Sequence, residues 1–253
     1  MSLSAIDYLL WVIGPILLVL SCGAMLKRRL VAEFPVFFAY VVFHVLRSVL
    51  FALYLLRWRQ QMSYADYFYA FWIAQAISVV LSFAVIYKVY CTIFQNCDAL
   101  RQLGSIFFGL AAVVLLGVAA LTVAAAPGVD APGIVREMLL LERSVRVMQC
   151  GLLAFLFVLA FFFGLPWRNH VFGVALGFGV FTTIELAAVA LRSQLGASAA
   201  TALSRVNSAA YSCGLLIWVY YLLAPEPAHQ YSGVVPHYNF EEWNQALRGI
   251  LEP

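Results

Sequence analysis

Apolar runs long enough to cross a bilayer recur along this chain, and no other feature restricts its fold as strongly. They cover residues 6–26, 34–56, 65–94, 103–126, 134–163, 169–191 and 201–223. A helix needs about 20 apolar residues to span the hydrocarbon, where its backbone polar groups must be satisfied internally. The pattern predicts an all-α, polytopic membrane protein with seven transmembrane helices in one bundle over residues 1–225, joined by short loops. Composition agrees: charged residues are 11% of the 253, where a soluble domain carries about a quarter.

Local signals refine the runs. Gly14-Pro15 predicts a kink in the first, because proline removes a donor. Pro35 suits a first helical turn, and Arg57-Trp58-Arg59 reads as an interfacial anchor. The third run exceeds what a bilayer needs and is expected to project on its Lys88 side. The fourth is Leu, Ala, Val and Gly almost throughout, as suits a lipid-facing helix. Gly173, Gly177 and Gly179 permit close helix approach in the sixth. Residues 226–253 form a polar tail. There Asn239 and Glu242 make a capping-box-like start, and Phe240, Trp243, Leu247, Ile250 and Leu251 share one face. This predicts a short amphipathic helix over 240–251, lying along the membrane, packing under the bundle or docking a cytoplasmic partner.

Seven spans place the termini on opposite sides. The Lys27-Arg28-Arg29 cluster after the first span points that end to the cytoplasm, so the N-terminus is expected outside and the C-terminus inside. The first run has no basic segment before it, and Asp7 sits where one would be, so it is read as a retained span. Short loops and the lack of any Asn-X-Ser/Thr site point to a bacterial-type inner membrane. The net charge of +3 includes no basic block, which argues against nucleic acid.

Within this apolar frame, ionisable groups at membrane depth are costly and usually face a bundle interior or cavity. The stretch Glu142-Arg143-Ser144-Val145-Arg146-Val147-Met148-Gln149 interrupts the fifth run. Glu142, Arg146 and Gln149 recur at i, i+4, i+7 and share a face. Arg146 lies about 28 Å from the inner end of its span and Glu185 about 23 Å. The second run carries Tyr40, His44, Arg47 and Tyr54 near one stripe, and the third carries Gln75, Ser78 and Ser82. Thr182, Glu185 and Arg192 line one face of the sixth. Ser204, Arg205, Asn207, Ser208, Tyr211 and Ser212 occupy the outward half of the seventh. All five stripes favour the same half of the membrane.

These groups are expected to converge, since lipid offers no partner. Glu142 can pair with Arg146 along its helix, while Glu185 needs a partner from elsewhere, with Arg205 or Arg47 as candidates. The candidate site is therefore His44, Arg47, Gln75, Glu142, Arg143, Arg146, Gln149, Glu185, Arg205 and Asn207. Four arginines against two glutamates would leave a surplus of positive charge suited to a carboxylate, phosphate or sulfate head. A structural ion-pair network, in which Arg143 and Arg205 snorkel to water, fits the same residues.

Several chemistries find no support. The last run lacks the mid-span lysine of a retinylidene pigment. Only His44 and His170 lie in the bundle, at unmatched depths, too few for a zinc site. Ser48 beside His44 makes no persuasive catalytic pair, and all aspartates fall at span ends or in loops. The five cysteines show no metal-binding spacing and read as packing thiols. No cofactor or catalytic residue is expected. The reading is a non-enzymatic, receptor-like bundle with an outward-half pocket for a small anionic or amphiphilic ligand, reporting through the third span's projection and the C-terminal helix. A transporter or exporter of such a molecule is the alternative.

Overall fold

The computed structural model describes residues 5–54, 64–95, 98–125, 131–162, 169–195 and 200–224. They form seven α-helices: α1 (Ala5–Lys27), α2 (Pro35–Leu53), α3 (Tyr64–Ile93), α4 (Asp98–Ala125), α5 (Ala131–Phe162), α6 (Asn169–Leu195) and α7 (Ala200–Leu223). The helices track the apolar runs. The largest differences are α4, which begins five residues earlier than hydropathy suggested, and α6, which ends four later. Six helices are long and apolar enough to cross a membrane, the character of a multi-pass membrane protein. The remaining one, α4, presents the apolar stretch Arg101–Val114. The amphipathic helix expected over 240–251 lies outside the described residues.

Helix α1 runs unbroken through Pro15. Its end is closed by a left-handed residue, Arg29, with φ of 56°. The Leu30 amide donates to the Met25 carbonyl at 3.0 Å and the Arg29 amide to the Leu26 carbonyl at 3.2 Å. This is a Schellman closure, usually made with glycine, and buried Leu30 and Met25 supply its apolar contact. The chain then reverses, and Pro35 opens α2 where its missing donor costs nothing.

The most extensive packing joins α6 to α7, then α1 to α7. Helices α6 and α7 are antiparallel, and a Cβ on Gly177 would stand 2.2 Å from Trp218 Nε1 and 2.9 Å from the Gly214 carbonyl oxygen. Only the missing side chain lets these backbones approach, and Trp218 Nε1 donates to the Val174 carbonyl across the contact at 3.2 Å. Gly173 faces α7 as well, whereas Gly179 meets only Phe157 of α5. Helices α1 and α7 are parallel. Gly14 lies against Tyr211, and Arg28, just beyond α1, donates to the Leu223 and Ala224 carbonyls at the end of α7.

At that end the core is aromatic. Phe37 and Tyr40 of α2 meet Trp218 at ring separations of 5.1 and 5.9 Å, and Phe178 meets Trp218 at 4.9 Å. A second cluster holds the end of α3: Tyr90 packs on Phe94, Phe108 and Phe155. Tyr90 and Phe94 are fully buried, so this end of α3 is packed against α4 and α5. His170 is buried, with Nδ1 2.7 Å from the Tyr221 carbonyl oxygen. Among the described residues helix α4 packs against α3 and α5 alone, and it exposes Ile106, Leu110 and Val113.

Helix α2 makes no close backbone approach to α6 or α7 among the described residues. Its aromatic side chains bridge the gap near the Arg28 end. Farther up the bundle, the gap stays open.

Gly177→Val should lower the thermal midpoint of the purified protein by overpacking the α6–α7 contact, at a cost of about 1–3 kcal/mol. Gly23→Ala, where a Cβ meets nothing within 4 Å, should leave the midpoint unchanged or raise it slightly. Differential scanning fluorimetry in mild detergent makes the comparison.

Candidate functional site

The polar stripes meet in two clusters in the half of the bundle away from Arg28. The first joins α6, α5 and α3. Arg146 Nε lies 2.9 Å from Glu185 Oε2, and both residues are buried. The Nε–H is not aligned on that oxygen, so the contact is a close ion pair rather than a straight hydrogen bond. Arg146 Nη1 donates to Gln149 Oε1 at 2.9 Å, one turn along α5. Gln149 Nε2 then donates to Ser82 Oγ of α3 at 2.5 Å, and Ser82 donates to the Val79 carbonyl at 2.7 Å. The guanidinium carbon also sits 5.4 Å from the centre of the Phe181 ring, a cation–π placement.

The second cluster joins α2 and α3. Arg47 Nη1 donates to Gln75 Oε1 at 3.0 Å, with its guanidinium 5.5 Å from the Phe71 ring centre. His44 Nε2 lies 3.0 Å from Ser78 Oγ, and its ring packs 4.4 Å from Tyr40. Ser48 donates instead to the His44 backbone carbonyl at 2.8 Å, so it forms no pair with the imidazole. Gln75, Ser78 and Ser82 fall on one stripe of α3. That stripe serves both clusters, toward α2 with its first two residues and toward α5 with its third.

One pairing differs from expectation. Glu142 makes no ion pair with Arg146 among the described residues, because Arg146 turns to Glu185. Glu185 is the buried carboxylate of the two, and α5–α6 packing brings it to the guanidinium. The desolvated charge has the greater need for a counter-ion. Arg143 and Arg205 are exposed and line no part of the cavity below. The side chain of Arg192 lies outside the described residues.

Between the clusters and α1 is a cavity of about 730 Å³, within the usual size range for small-molecule sites. Its inner wall carries His44, Arg47, Gln75, Glu142, Arg146, Glu185 and Asn207, with Tyr40, Ser78, Ser82 and Tyr211 between them. Its outer wall is apolar: Trp11, Val12, Ile16 and Val19 of α1 face Val45, Val49 and Ala52 of α2. Of the ten candidate residues, Gln149, Arg143 and Arg205 stand outside the lining. The charges in the lining balance, with two arginines (Arg47, Arg146) against two glutamates (Glu142, Glu185). The positive surplus expected from the whole set is absent, because the two exposed arginines are not part of it.

The candidate set omitted Ser78 and Ser82, although both lie on the Gln75 stripe. It also omitted the aromatic rings under the guanidinium groups. Their signal was available: Phe71 is four residues before Gln75 and Phe181 four before Glu185, so each shares a face with a network residue. The hydroxyls of Thr182, Ser208 and Ser212 bond back to carbonyls of their own helices and bridge nothing through these contacts. Comparison with known proteins finds no matching family model, no similar curated protein and no similar solved structure.

Arg146→Ala strands a buried carboxylate and should destabilise the protein by about 3–5 kcal/mol. The double variant Arg146→Met with Glu185→Met should be closer to wild type than either single change. Thermal unfolding of all four proteins closes the cycle, and additive effects would show that the two groups are not coupled.

Proposed function

We propose that the chain is a non-enzymatic, receptor-like membrane bundle that holds a small amphiphilic molecule in the cavity between α1, α2 and the polar clusters. The observation that carries this reading is the two-sided lining: charged and amide groups on the inner wall, bare apolar side chains on the outer. A polar head and an apolar body would each meet their like. The balanced charge of the lining removes the ground for a strictly anionic ligand and leaves the amphiphile as the better fit.

The bundle crosses a bacterial-type inner membrane seven times in this reading. At 28 residues, α4 is about 42 Å long, ample for a crossing. The parallel pair α1 and α7, finishing together at Arg28 and Ala224, supports an odd number of crossings. The Lys27-Arg28-Arg29 cluster puts that end in the cytoplasm and the cavity in the outward half. Residues 226–253 form a cytoplasmic tail that offers a surface to a partner. Transport is less well supported, because the aromatic cluster of Phe37, Tyr40, Phe178 and Trp218 closes the way from the cavity to the cytoplasmic end.

Protein in phosphatidylcholine nanodiscs, screened against dodecyl amphiphiles with anionic, zwitterionic and cationic heads, should show a raised thermal midpoint with at least one of them. Arg47→Ala and Glu185→Ala should each abolish that rise while the chain still inserts. Unchanged stabilisation in both variants rejects the pocket. Flux of the stabilising amphiphile in proteoliposomes would replace this reading with transport.

A further inference from the structure

The polar groups of the cavity differ in whether they are already engaged. Arg146 holds Glu185 and Gln149, and lies over Phe181. Arg47 holds Gln75 and lies over Phe71. Both arginines of the wall are therefore engaged. The Glu142 carboxylate, by contrast, makes no hydrogen bond or ion pair among the described residues. It stands one turn above Arg146 on α5, on the same face. Asn207 Oδ1 is buried without a hydrogen-bond partner, at the level of Glu185 by the antiparallel register of α6 and α7. Both groups line the cavity. Asn207 Oδ1 is a buried acceptor left unmatched, which is costly, and the half-buried Glu142 carboxylate is a second acceptor without a donor. What they lack is a donor, and beside a carboxylate a cationic donor binds most strongly.

The apolar wall shows where such a ligand comes from. Val12, Ile16 and Val19 lie at i, i+4, i+7 on α1, and each is about half exposed on the outer face of the bundle while lining the cavity. Val45, Val49 and Ala52 repeat the same spacing on α2. The two stripes are joined at the Arg28 end by the short turn of residues 28–34. The α1 stripe and Val49 of α2, lining and exposed together, form the sides of a cleft that opens sideways, between α1 and α2, toward lipid. The α1 stripe rises about 10 Å along the helix axis, the direction of an acyl chain in the bilayer.

Resting on the ligand-binding reading above, we infer that the occupant is a single-chain amphiphile with a primary ammonium head, drawn from the bilayer through the α1–α2 cleft. Its ammonium sits on Glu142 and Asn207 Oδ1, and its chain lies between the valine stripes. A soluble metabolite would have no use for the second feature, and a fatty acid would meet the wrong sign at the first.

The test uses the full chain in phosphatidylcholine nanodiscs, with dodecylamine as probe and lauric acid and butylamine as comparators. Dodecylamine should raise the thermal midpoint and bind about tenfold more tightly than either comparator. Glu142→Gln should weaken it about tenfold, whereas Glu142→Asp, which keeps the charge, should stay within about threefold. Val49→Trp, filling the cleft mouth, should weaken it about tenfold. Should Glu142→Gln fail to fold, Asn207→Leu takes its place, with a loss of about threefold or more expected.

Preference for lauric acid, sensitive to Arg47→Ala and indifferent to Glu142→Gln, overturns the ammonium head and leaves the pocket standing. Dodecylamine binding that ignores Val49→Trp overturns the sideways path. If no dodecyl amphiphile of any head charge binds, the inference and the ligand-binding reading fall together.

Discussion

The contact between Arg146 and Glu185 is the constraint on which the rest of the arrangement depends. Both side chains are buried in a region whose surroundings are aliphatic and aromatic. Leaving either uncompensated at membrane depth would cost several kcal/mol. With the pair made, α5 and α6 are held at one rotation and one register, because only then do the guanidinium and carboxylate coincide. Gln149 and Ser82 extend the same fixation to α3. The α3 stripe in turn carries Gln75 and Ser78 to α2. Two sets of polar side chains, related through the α3 stripe, thus orient α2, α3, α5 and α6, where apolar packing alone would tolerate rotation, since lipid is as apolar as the side chains it replaces.

The opposite end of the bundle is fixed by different means. Gly177 and Gly214 allow α6 and α7 to touch, aromatic rings fill the space under α2, and Arg28 ties the ends of α1 and α7. Close packing at one end, with α2 too far from α6 and α7 for backbone contact at the other, leaves a gap between them. The cavity follows from that gap. It requires no special feature beyond α2 being too far from α6 and α7 for backbone contact and having only its lower aromatics long enough to bridge.

Much of this was legible beforehand. The seven helices were visible in hydropathy to within a few residues, because the length of an apolar run in lipid is set by bilayer thickness. That His44, Arg47, Gln75, Glu142, Arg146, Glu185 and Asn207 sit on stripes biased to one half was equally visible from spacing. What spacing cannot give is partnership. Glu142 and Arg146 are ideal neighbours on one helix, yet Arg146 turns to Glu185 of α6. The choice depends on which carboxylate is desolvated, and that is set by packing between helices distant in sequence. The same limit hid the charge balance: Arg143 and Arg47 look alike in sequence, and only tertiary position separates the exposed one from the one in the cavity. The length of the third run did not show that Tyr90 and Phe94 would be buried against α4 and α5, since that packing joins helices apart in sequence.

The central claim is that the polar stripes meet inside the bundle instead of fanning out into headgroup water. Paired cysteines at Ser82 and Gln149, in a variant whose five native cysteines are replaced by alanine, test it in native membranes. The account predicts efficient joining of the two positions by a short bifunctional thiosulfonate, with little labelling by a membrane-impermeant maleimide. Failure to join, together with ready labelling of each position from the aqueous phase, would contradict it.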